Sequence, residues 1–442
     1  MSSPFASLDE ALGWLDAHID YERVAPTRRT LPSLDGVRAA LTLLGEPQEA
    51  YRSIHITGTN GKGSTTAMIA AILTEAGLSV GTYTSPNLHR VNERIGRNLE
   101  SISDDDLIDL LSRLALVEPR LEEPLTRFEL LTVAALTHFA DEAIDVAVVE
   151  VGLGGTWDST NVIDGDVAVI TSIGLDHVQV LGSTREEIAR DKSGIIKPGA
   201  VAVIGPVTDT VGEVIIEACD RVGAVLWRSG DTFDGQNNRL AFGGRLIDVE
   251  VPGGRYHDLF VPLNGPHQGQ NAAVAVAAVT AFVGRPLSAE IVEAGLARAR
   301  VPGRLEVLGH LPLIIVDSAH NGAGAEALAA ALSEGFHVNG AKVAVLGMLE
   351  GRDPLDLITP LVRFGISTFV CVEPDTPRAM AAHGVADAAI EAGASATVAT
   401  SIPAACATAI ERAGADGLVL ATGSLYVIGD ARLSLLERVA SS

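Results

Sequence analysis

The chain has 442 residues, 47% of them hydrophobic and 20% charged, with a formal net charge of -24. This length predicts two or three domains, and the apolar content supports a large core and excludes a disordered chain. The acidity excludes a nucleic-acid-binding surface, which needs clustered Lys and Arg, and requires local cations or a metal to hold any anionic substrate.

In chain order, the first informative stretch is His55 to Thr65, HITGTNGKGST. Ile54 and Ile56 begin a strand. Gly58-Thr59-Asn60-Gly61-Lys62-Gly63-Ser64 then forms a glycine-rich turn. Ile69, Ile72, Leu73 and Ala76 follow at helical spacing, with Gly77 as the stop. Strand, glycine turn and helix in that order suit a polyphosphate. Glycines allow close backbone approach, and the helix start offers unpaired N–H groups and a partial positive charge. Lys62 can reach a terminal phosphate, and Ser64 or Thr65 can ligate Mg²⁺. The commonest phosphate-loop pattern has glycine where Ile56 stands, so this loop is a variant.

Beyond the loop, apolar β-branched runs alternate with helical stretches: Val80–Ser85, Val146–Gly152, Val167–Ile173 and Ala200–Pro206. Such runs predict a parallel sheet covered on both faces. From Gly230 to Leu263 the pattern becomes Gly-, Asp- and alternation-rich, which predicts a small antiparallel elaboration. The helix-prone Asn271–Gly284 stretch follows and is assigned to the same first unit. Near Val301-Pro302-Gly303-Arg304 the pattern restarts. New strands are expected at Leu313–Asp317, Val343–Gly347, Thr368–Val372 and Leu418–Ala421. The expected architecture is α/β: a phosphate-loop, parallel-sheet ATPase domain over 1–299 and a smaller doubly wound domain over 300–442.

Cys219, Cys371 and Cys406 lie far apart, with neither zinc nor disulfide spacing, which suits a reducing cytoplasm. The opening MSSPFASLDEAL lacks a basic n-region and an apolar h-region. The longest near-apolar run, around Ala272 to Val283, is short of the ~20 residues of a membrane helix. The expectation is a soluble, cytoplasmic, monomeric protein with small-molecule substrates and neither nucleic-acid nor membrane partners.

Further motifs sit at or just beyond predicted strand ends, where open α/β sheets place ligands. Glu150-Val-Gly-Leu-Gly-Gly-Thr-Trp-Asp158-Ser-Thr-Asn161 begins with an acidic residue that is costly to bury unless paired or metal-bound. Glu150 therefore fits a loop-bonded carboxylate or a metal ligand. Thr171-Ser-Ile-Gly-Leu-Asp176-His177 ends in a histidine that fits a surface position or, less commonly for Mg²⁺, a ligand. Arg190-Asp-Lys192-Ser-Gly-Ile-Ile-Lys197-Pro presents Lys192, solvated or functional. In the second domain stand Pro302-Gly303-Arg304-Leu-Glu306, Asp317-Ser-Ala-His320-Asn321 and Thr422-Gly-Ser424. Each alone fits a cap or loop residue equally well.

Taken together and in order, these residues resemble the folylpolyglutamate synthase and bifunctional dihydrofolate/folylpolyglutamate synthase family, within the Mur ligase superfamily. The resemblance spans nearly the whole chain. It includes Tyr21-Glu-Arg, Pro26-Thr-Arg, Leu34-Asp and Leu43–Pro47, then the glycine loop and Thr84-Ser85-Pro86 with Asn92-Glu93-Arg94-Ile95. Phe128-Glu129, the Glu150, His177 and Lys192 segments, His267-Gln268 with Asn271, and the three second-domain motifs complete it.

The resemblance implies a role for each residue. Gly58 through Thr65 hold ATP, with Lys62 on its β- and γ-phosphates. Ser64, Ser85, Glu150, His177 and Lys192 hold Mg²⁺, with two ions expected. Lys192 matches a lysine that the family carbamylates. Asn271, Arg304 and Asp317 contact nucleotide, with Arg304 reaching its phosphates from the second domain. His320 also faces the nucleotide and is the candidate base for the incoming amine, while Asp158 and Ser424 face substrate. The implied reaction adds L-glutamate to folates, and to dihydropteroate, through an acyl phosphate. The alternatives are a Mur-type or other ATP-dependent carboxylate–amine ligase with a non-folate acceptor, and a silent nucleotide-binding module. The Mur-type reading is disfavoured by the roughly 50 residues before the glycine loop, at the bottom of the domain size range. The silent reading is disfavoured by the presence of Lys62, Glu150, His177 and Lys192. Thr156 stands where the family commonly has Arg, Asn87 where it often has His, Ser318 where it often has Gly, and Gly322 where Pro is usual. These departures bear on acceptor choice.

Overall fold

The structure is a computed structural model in which residues 4–23 and 33–440 are described. Pro26-Thr-Arg lies outside them. The chain divides into two compact units: Met1–Asn238 with Ile247–Val261 and Gly269–Ala299, and Arg239–Leu246 with Pro262–Gln268 and Arg300–Ser442.

The first unit is built on eight strands: β1 (Arg52–Thr57), β2 (Val80–Tyr83), β3 (Ile95–Arg97), β4 (Glu100–Ser101), β5 (Val146–Glu150), β6 (Val167–Ile170), β7 (Val201–Ile204) and β8 (Val225–Arg228). Their order is β4-β3-β2-β5-β1-β6-β7-β8. From β2 to β8 all neighbours are parallel, and β3 and β4 extend the β2 edge in antiparallel fashion. Sequence reading did not anticipate these two short edge strands. β1 is central, and β5 and β6, consecutive in the chain, lie on opposite sides of it. The strand order therefore reverses at β1, the place where open α/β sheets bind ligands.

The helix Lys62–Glu75 follows β1. It is buried at Ser64–Thr66 and Met68–Leu73, not along one stripe as the amphipathic reading predicts. The reason is a second cover, the helix Ala289–Arg298. There Gly295 comes so close that a Cβ on it would meet the Ile72 backbone at 2.5 Å. Two apolar clusters lie side by side on the face of the sheet that His55 shares: one includes Leu111, Leu131, Phe139 and Val149, the other Ile170, Ile195, Ile204 and Ile215.

Between residues 234 and 261 run β9 (Asp234–Ala241), β10 (Gly244–Val251) and β11 (Gly254–Val261), in the order β11-β10-β9. Two-residue connections join them, which only an antiparallel arrangement permits.

The second unit carries β12 (Glu306–His310), β13 (Leu313–Val316), β14 (Lys342–Leu346), β15 (Thr368–Cys371), β16 (Ser395–Val398) and β17 (Leu418–Thr422), in the order β12-β13-β17-β14-β15-β16. All pairs are parallel except β12 with β13. This is the doubly wound pattern the apolar runs imply. No helix among the described residues is long and apolar enough to cross a membrane.

Candidate active site

The glycine loop leaves the buried end of β1 and enters the helix at Lys62. Gly61, at φ +90°, is the helix N-cap, and Gly58 packs so tightly that a Cβ would meet Thr171 Oγ1 at 1.9 Å. The loop is laced to the chain following β6. Thr59 N–H donates to the Ser172 carbonyl at 2.8 Å and Asn60 N–H to Ser172 Oγ at 3.0 Å. The Thr171 and Ser172 hydroxyls both donate to the Asn60 carbonyl, at 2.7 and 2.9 Å. Gly174 N–H donates to Thr59 Oγ1 at 2.9 Å. A loop tied at so many points presents its amides in one geometry. Asn271 lies against it, its Oδ1 2.6 Å from where a Gly61 Cβ would sit.

Two lysines converge on this loop. Lys62 Nζ donates to the Gly58 carbonyl at 3.2 Å, and Lys192 Nζ donates to the same oxygen at 3.0 Å. Lys192, at the end of the helix Arg185–Lys192, also lies 3.4 Å from Thr57 Oγ1 and is only 3% exposed. Burial, reinforced by the charge of Lys62, pushes its pKa down to about 7. Next to it, burial raises the Asp191 carboxyl to about 6.

Glu150 ends β5 and is buried, with Oε2 3.5 Å from where a Gly63 Cβ would sit. The loop after it returns to β1, where Thr57 Oγ1 donates to the Gly154 carbonyl at 2.7 Å. Asp158 has a use inside its own loop. Oδ2 accepts from Leu153 N–H at 2.8 Å, and Oδ1 accepts from Thr160 N–H at 3.0 Å and from the Thr160 hydroxyl at 2.5 Å. The substrate contact expected of Asp158 thus meets a carboxylate that already caps the turn Ser159–Val162. Thr156 caps in the other direction. Its N–H and hydroxyl both donate to the Asp191 carbonyl, at 3.0 and 2.8 Å, beside the end of the Lys192 helix.

Ser85 lies in the turn after β2. Arg94 braces this turn, donating from Nε to Asn87 Oδ1 at 2.7 Å and bidentately to Glu22 at 2.8 and 2.6 Å. His177 takes a left-handed conformation, φ +49°, before the short helix Val178–Leu181, and its side chain is 38% exposed. Among the described residues no three His, Cys, Asp or Glu side chains are grouped to hold a metal ion. Mg²⁺, however, commonly takes one or two carboxylates together with substrate phosphates. Glu150, the Ser64 and Ser85 hydroxyls and the buried Thr65 Oγ1, which has no hydrogen-bond partner, fit that habit. Lys192 as an amine does not fit as a ligand, because its ammonium form repels a cation.

In the second unit, Asp317 at the end of β13 accepts from Leu305 N–H and Ala319 N–H, both at 2.8 Å, and so folds the two flanking turns onto itself. Arg304 precedes Leu305 and is partly exposed. His320 Nδ1 lies 2.8 Å from the Ser318 carbonyl, which makes Nδ1 a donor there. Asn321 caps the helix Gly322–Gly335. Ser424 is 3% exposed, and its Oγ accepts from Tyr426 N–H at 3.3 Å at the start of the helix Leu425–Ala440.

The Mur ligase middle domain matches residues 56–279, and the Mur ligase glutamate ligase domain matches 303–425. A dihydrofolate synthase/folylpolyglutamate synthase of Mycobacterium tuberculosis is 39% identical over 387 residues, 83% of this chain and 79% of that one. A folylpolyglutamate synthase of Lacticaseibacillus casei is 35% identical over 410 residues, 90% of this chain and 94% of that one. The chain belongs to the folylpolyglutamate synthase family of Mur ligases. A solved member, the Mycobacterium tuberculosis folylpolyglutamate synthase complexed with ADP and AMPPCP, superposes with a TM-score of 0.89 at 36% identity, covering 97% of this chain and 98% of that one. Like other members of the folylpolyglutamate synthase family, the chain is an ATP-dependent ligase.

Sequence reasoning missed three features of this member of the family. Thr171 and Ser172 anchor the glycine loop, His55 bonds Thr160, and Arg94 pairs with Glu22. The only local signal was polarity: hydroxyls just past an apolar strand, and a histidine inside one.

Proposed function

We propose that this chain joins the amino group of L-glutamate to a carboxyl group of a folate through an acyl phosphate, and that it accepts dihydropteroate as well. The observation that carries the reading is the convergence of Lys62 and Lys192 on the Gly58 carbonyl at the head of a rigid glycine loop. The γ-phosphoryl group passes to the acceptor carboxylate: one P–O bond forms to it, the bond to the β-phosphate breaks, and ADP leaves. The amine then attacks the acyl carbon, phosphate departs with its C–O bonding pair, and the amine loses a proton.

In the first step charge neutralisation matters more than proton transfer. Lys62 and the loop amides at the helix start supply it. Ser64, Ser85, Glu150 and His177 would hold Mg²⁺, which would supply further positive charge beside the phosphates. Lys192 is proposed to be carbamylated. Its depressed pKa keeps a neutral amine available near pH 7, which adds CO₂ to give an anionic carbamate and a proton. Asn271, Arg304 and Asp317 are proposed nucleotide contacts, Ser424 a substrate contact, and His320 the acceptor of the amine proton.

Support for dihydropteroate comes from the name of the Mycobacterium tuberculosis relative, which carries both activities; that of the Lacticaseibacillus casei relative carries polyglutamylation alone. A carboxylate has about four acceptor positions, and Asp158 uses three of them in its own loop. The deciding experiment supplies ATP, Mg²⁺ and L-glutamate with dihydropteroate or a reduced folate separately and follows ADP release. Glutamate-dependent release with both acceptors is expected. Release with the folate alone removes the bifunctional part, and release with neither removes the folate reading.

A further inference from the structure

His55 and Thr57 are two residues apart on β1, so they face the same side of the sheet. Both reach the loop that follows Glu150: Thr57 through the Gly154 carbonyl, and His55 through Thr160, its Nε2 lying 2.8 Å from Thr160 Oγ1. The Thr160 hydroxyl has one hydrogen and gives it to Asp158 Oδ1 at 2.5 Å. Its oxygen is therefore an acceptor toward His55, and the imidazole carries its proton on Nε2. The donors run in one direction, His55 to Thr160 to Asp158.

This arrangement has a cost. His55 is fully buried, and burial, with a smaller contribution from Lys197, pushes its pKa down to about 3, so the ring is neutral. With the proton on Nε2, Nδ1 is a bare acceptor, and it is buried without a hydrogen-bond partner. An unpaired buried polar atom keeps the full cost of its lost hydration. The residues beside His55 in register are Val149 on β5 and Ala168 on β6, so an apolar side chain would suit the strand better. A local rule broken inside a central strand points to a functional constraint.

We infer that His55 is a positioning residue for the ligase reaction: through Thr160 it holds Asp158, and with Asp158 the loop 153–160, against the strand that runs into the glycine loop. The inference rests on the ligase reading of the site. Asp158 closes the loop on itself through the Leu153 and Thr160 amides. Its carboxylate acts electrostatically on Lys192, which in turn lies against Thr57 and Gly58. The His55 and Thr57 bonds together fix where that carboxylate stands relative to Lys192.

The test compares His55→Leu, which removes the donor, with His55→Gln, whose amide nitrogen falls near the position of Nε2, and with Thr160→Val. Three quantities are read: kcat and KM for glutamate-dependent ADP release, hydrogen exchange at the Leu153 and Thr160 amides, and the melting temperature. The inference expects His55→Leu to lose about 10-fold or more in kcat, the scale of a small misplacement in an active site. Its melting temperature stays level or rises, because the orphaned nitrogen is gone, and protection at both amides falls. His55→Gln keeps kcat and protection near wild type. The double variant His55→Leu/Thr160→Val is no worse than the more impaired single variant, since both break one chain of bonds. Wild-type kcat and protection in His55→Leu overturn the inference, as does equal loss in His55→Leu and His55→Gln. If His55→Leu does not fold, Thr160→Val, which removes one hydroxyl at nearly constant volume, decides on the same readouts. Failure of the ligase reading looks different: wild-type protein then shows no glutamate-dependent ADP release, while the exchange comparison still reports whether His55 holds the loop.

Discussion

Lys62 and Lys192 share one acceptor, the Gly58 carbonyl, at 3.2 and 3.0 Å. Two like charges so placed disfavour one another, and burial makes Lys192 the one that yields, at about pH 7. The site thus holds one cation ready for phosphate and one amine ready to change its charge.

The lysine at the helix start carries the first prediction. Lys62→Ala removes the cation proposed to face the transferring phosphoryl group and is expected to lower kcat by about 100-fold or more, the scale of a preorganised charge. Steady-state ADP release checks it. Near-normal glutamate-dependent turnover would place the phosphate site elsewhere.

Lys192→Ala is expected to abolish turnover, with partial rescue by formate or acetate standing in for a carbamate. The sign of the pH dependence follows from the depressed pKa. The neutral amine that adds CO₂ is scarce below about pH 7 and predominates above it. At fixed dissolved CO₂, activity should therefore rise with pH through about 7. A flat profile, or full activity in CO₂-free buffer after long dialysis, speaks against the carbamate.

Gly58→Ala is expected to weaken nucleotide binding and to destabilise the fold by about 1–3 kcal/mol, the range for overpacking. Its new methyl group meets Thr171 Oγ1 at 1.9 Å and the Ser172 amide nitrogen at 3.1 Å. Adding Thr171→Ala should recover part of the stability and little of the binding, because that change also removes a donor to Asn60. Calorimetric titration with ADP and thermal unfolding separate the two effects.

Arg94→Ala removes the bidentate partner of Glu22 and opens the brace on the Ser85 turn. Breaking a buried ion pair costs about 3–5 kcal/mol. Burial on its own would raise the Glu22 carboxyl, but the Arg94 guanidinium outweighs it and holds the group below its ordinary 4.5. A depressed carboxyl contributes stability above its unfolded pKa and loses it as pH falls through the folded one. The gap in stability between wild type and Arg94→Ala should therefore be full at pH 7 and narrow in acid below 4.5. Urea unfolding at several pH values measures it, and a gap independent of pH would assign the effect to packing alone.

Much of the proposed phosphate site was legible in the sequence for a physical reason. Its donors are contiguous: backbone amides of Gly58 to Ser64 and the lysine beside them need only a strand before and a helix after. The alternation of apolar runs and helices was legible for the same reason, since burial on both faces leaves a continuous apolar signature. The helix Lys62–Glu75 shows where that reading stops. Its spacing looks one-sided, yet it is buried nearly all round, because the helix Ala289–Arg298, more than 200 residues further along the chain, covers it.

The amino-acid sequence by itself determined the family, the alternating α/β pattern and the residues that can hold a phosphate, because each rests on neighbours within a few positions. Only the tertiary structure decided what holds the glycine loop still and what the polar residues inside it do. Thr171 reaches Asn60 across 111 positions, His55 reaches Thr160 across 105, and Arg94 reaches Glu22 across 72. The first two meetings depend on β1 lying between β5 and β6, an order set by packing the whole sheet and written in no single stretch of it.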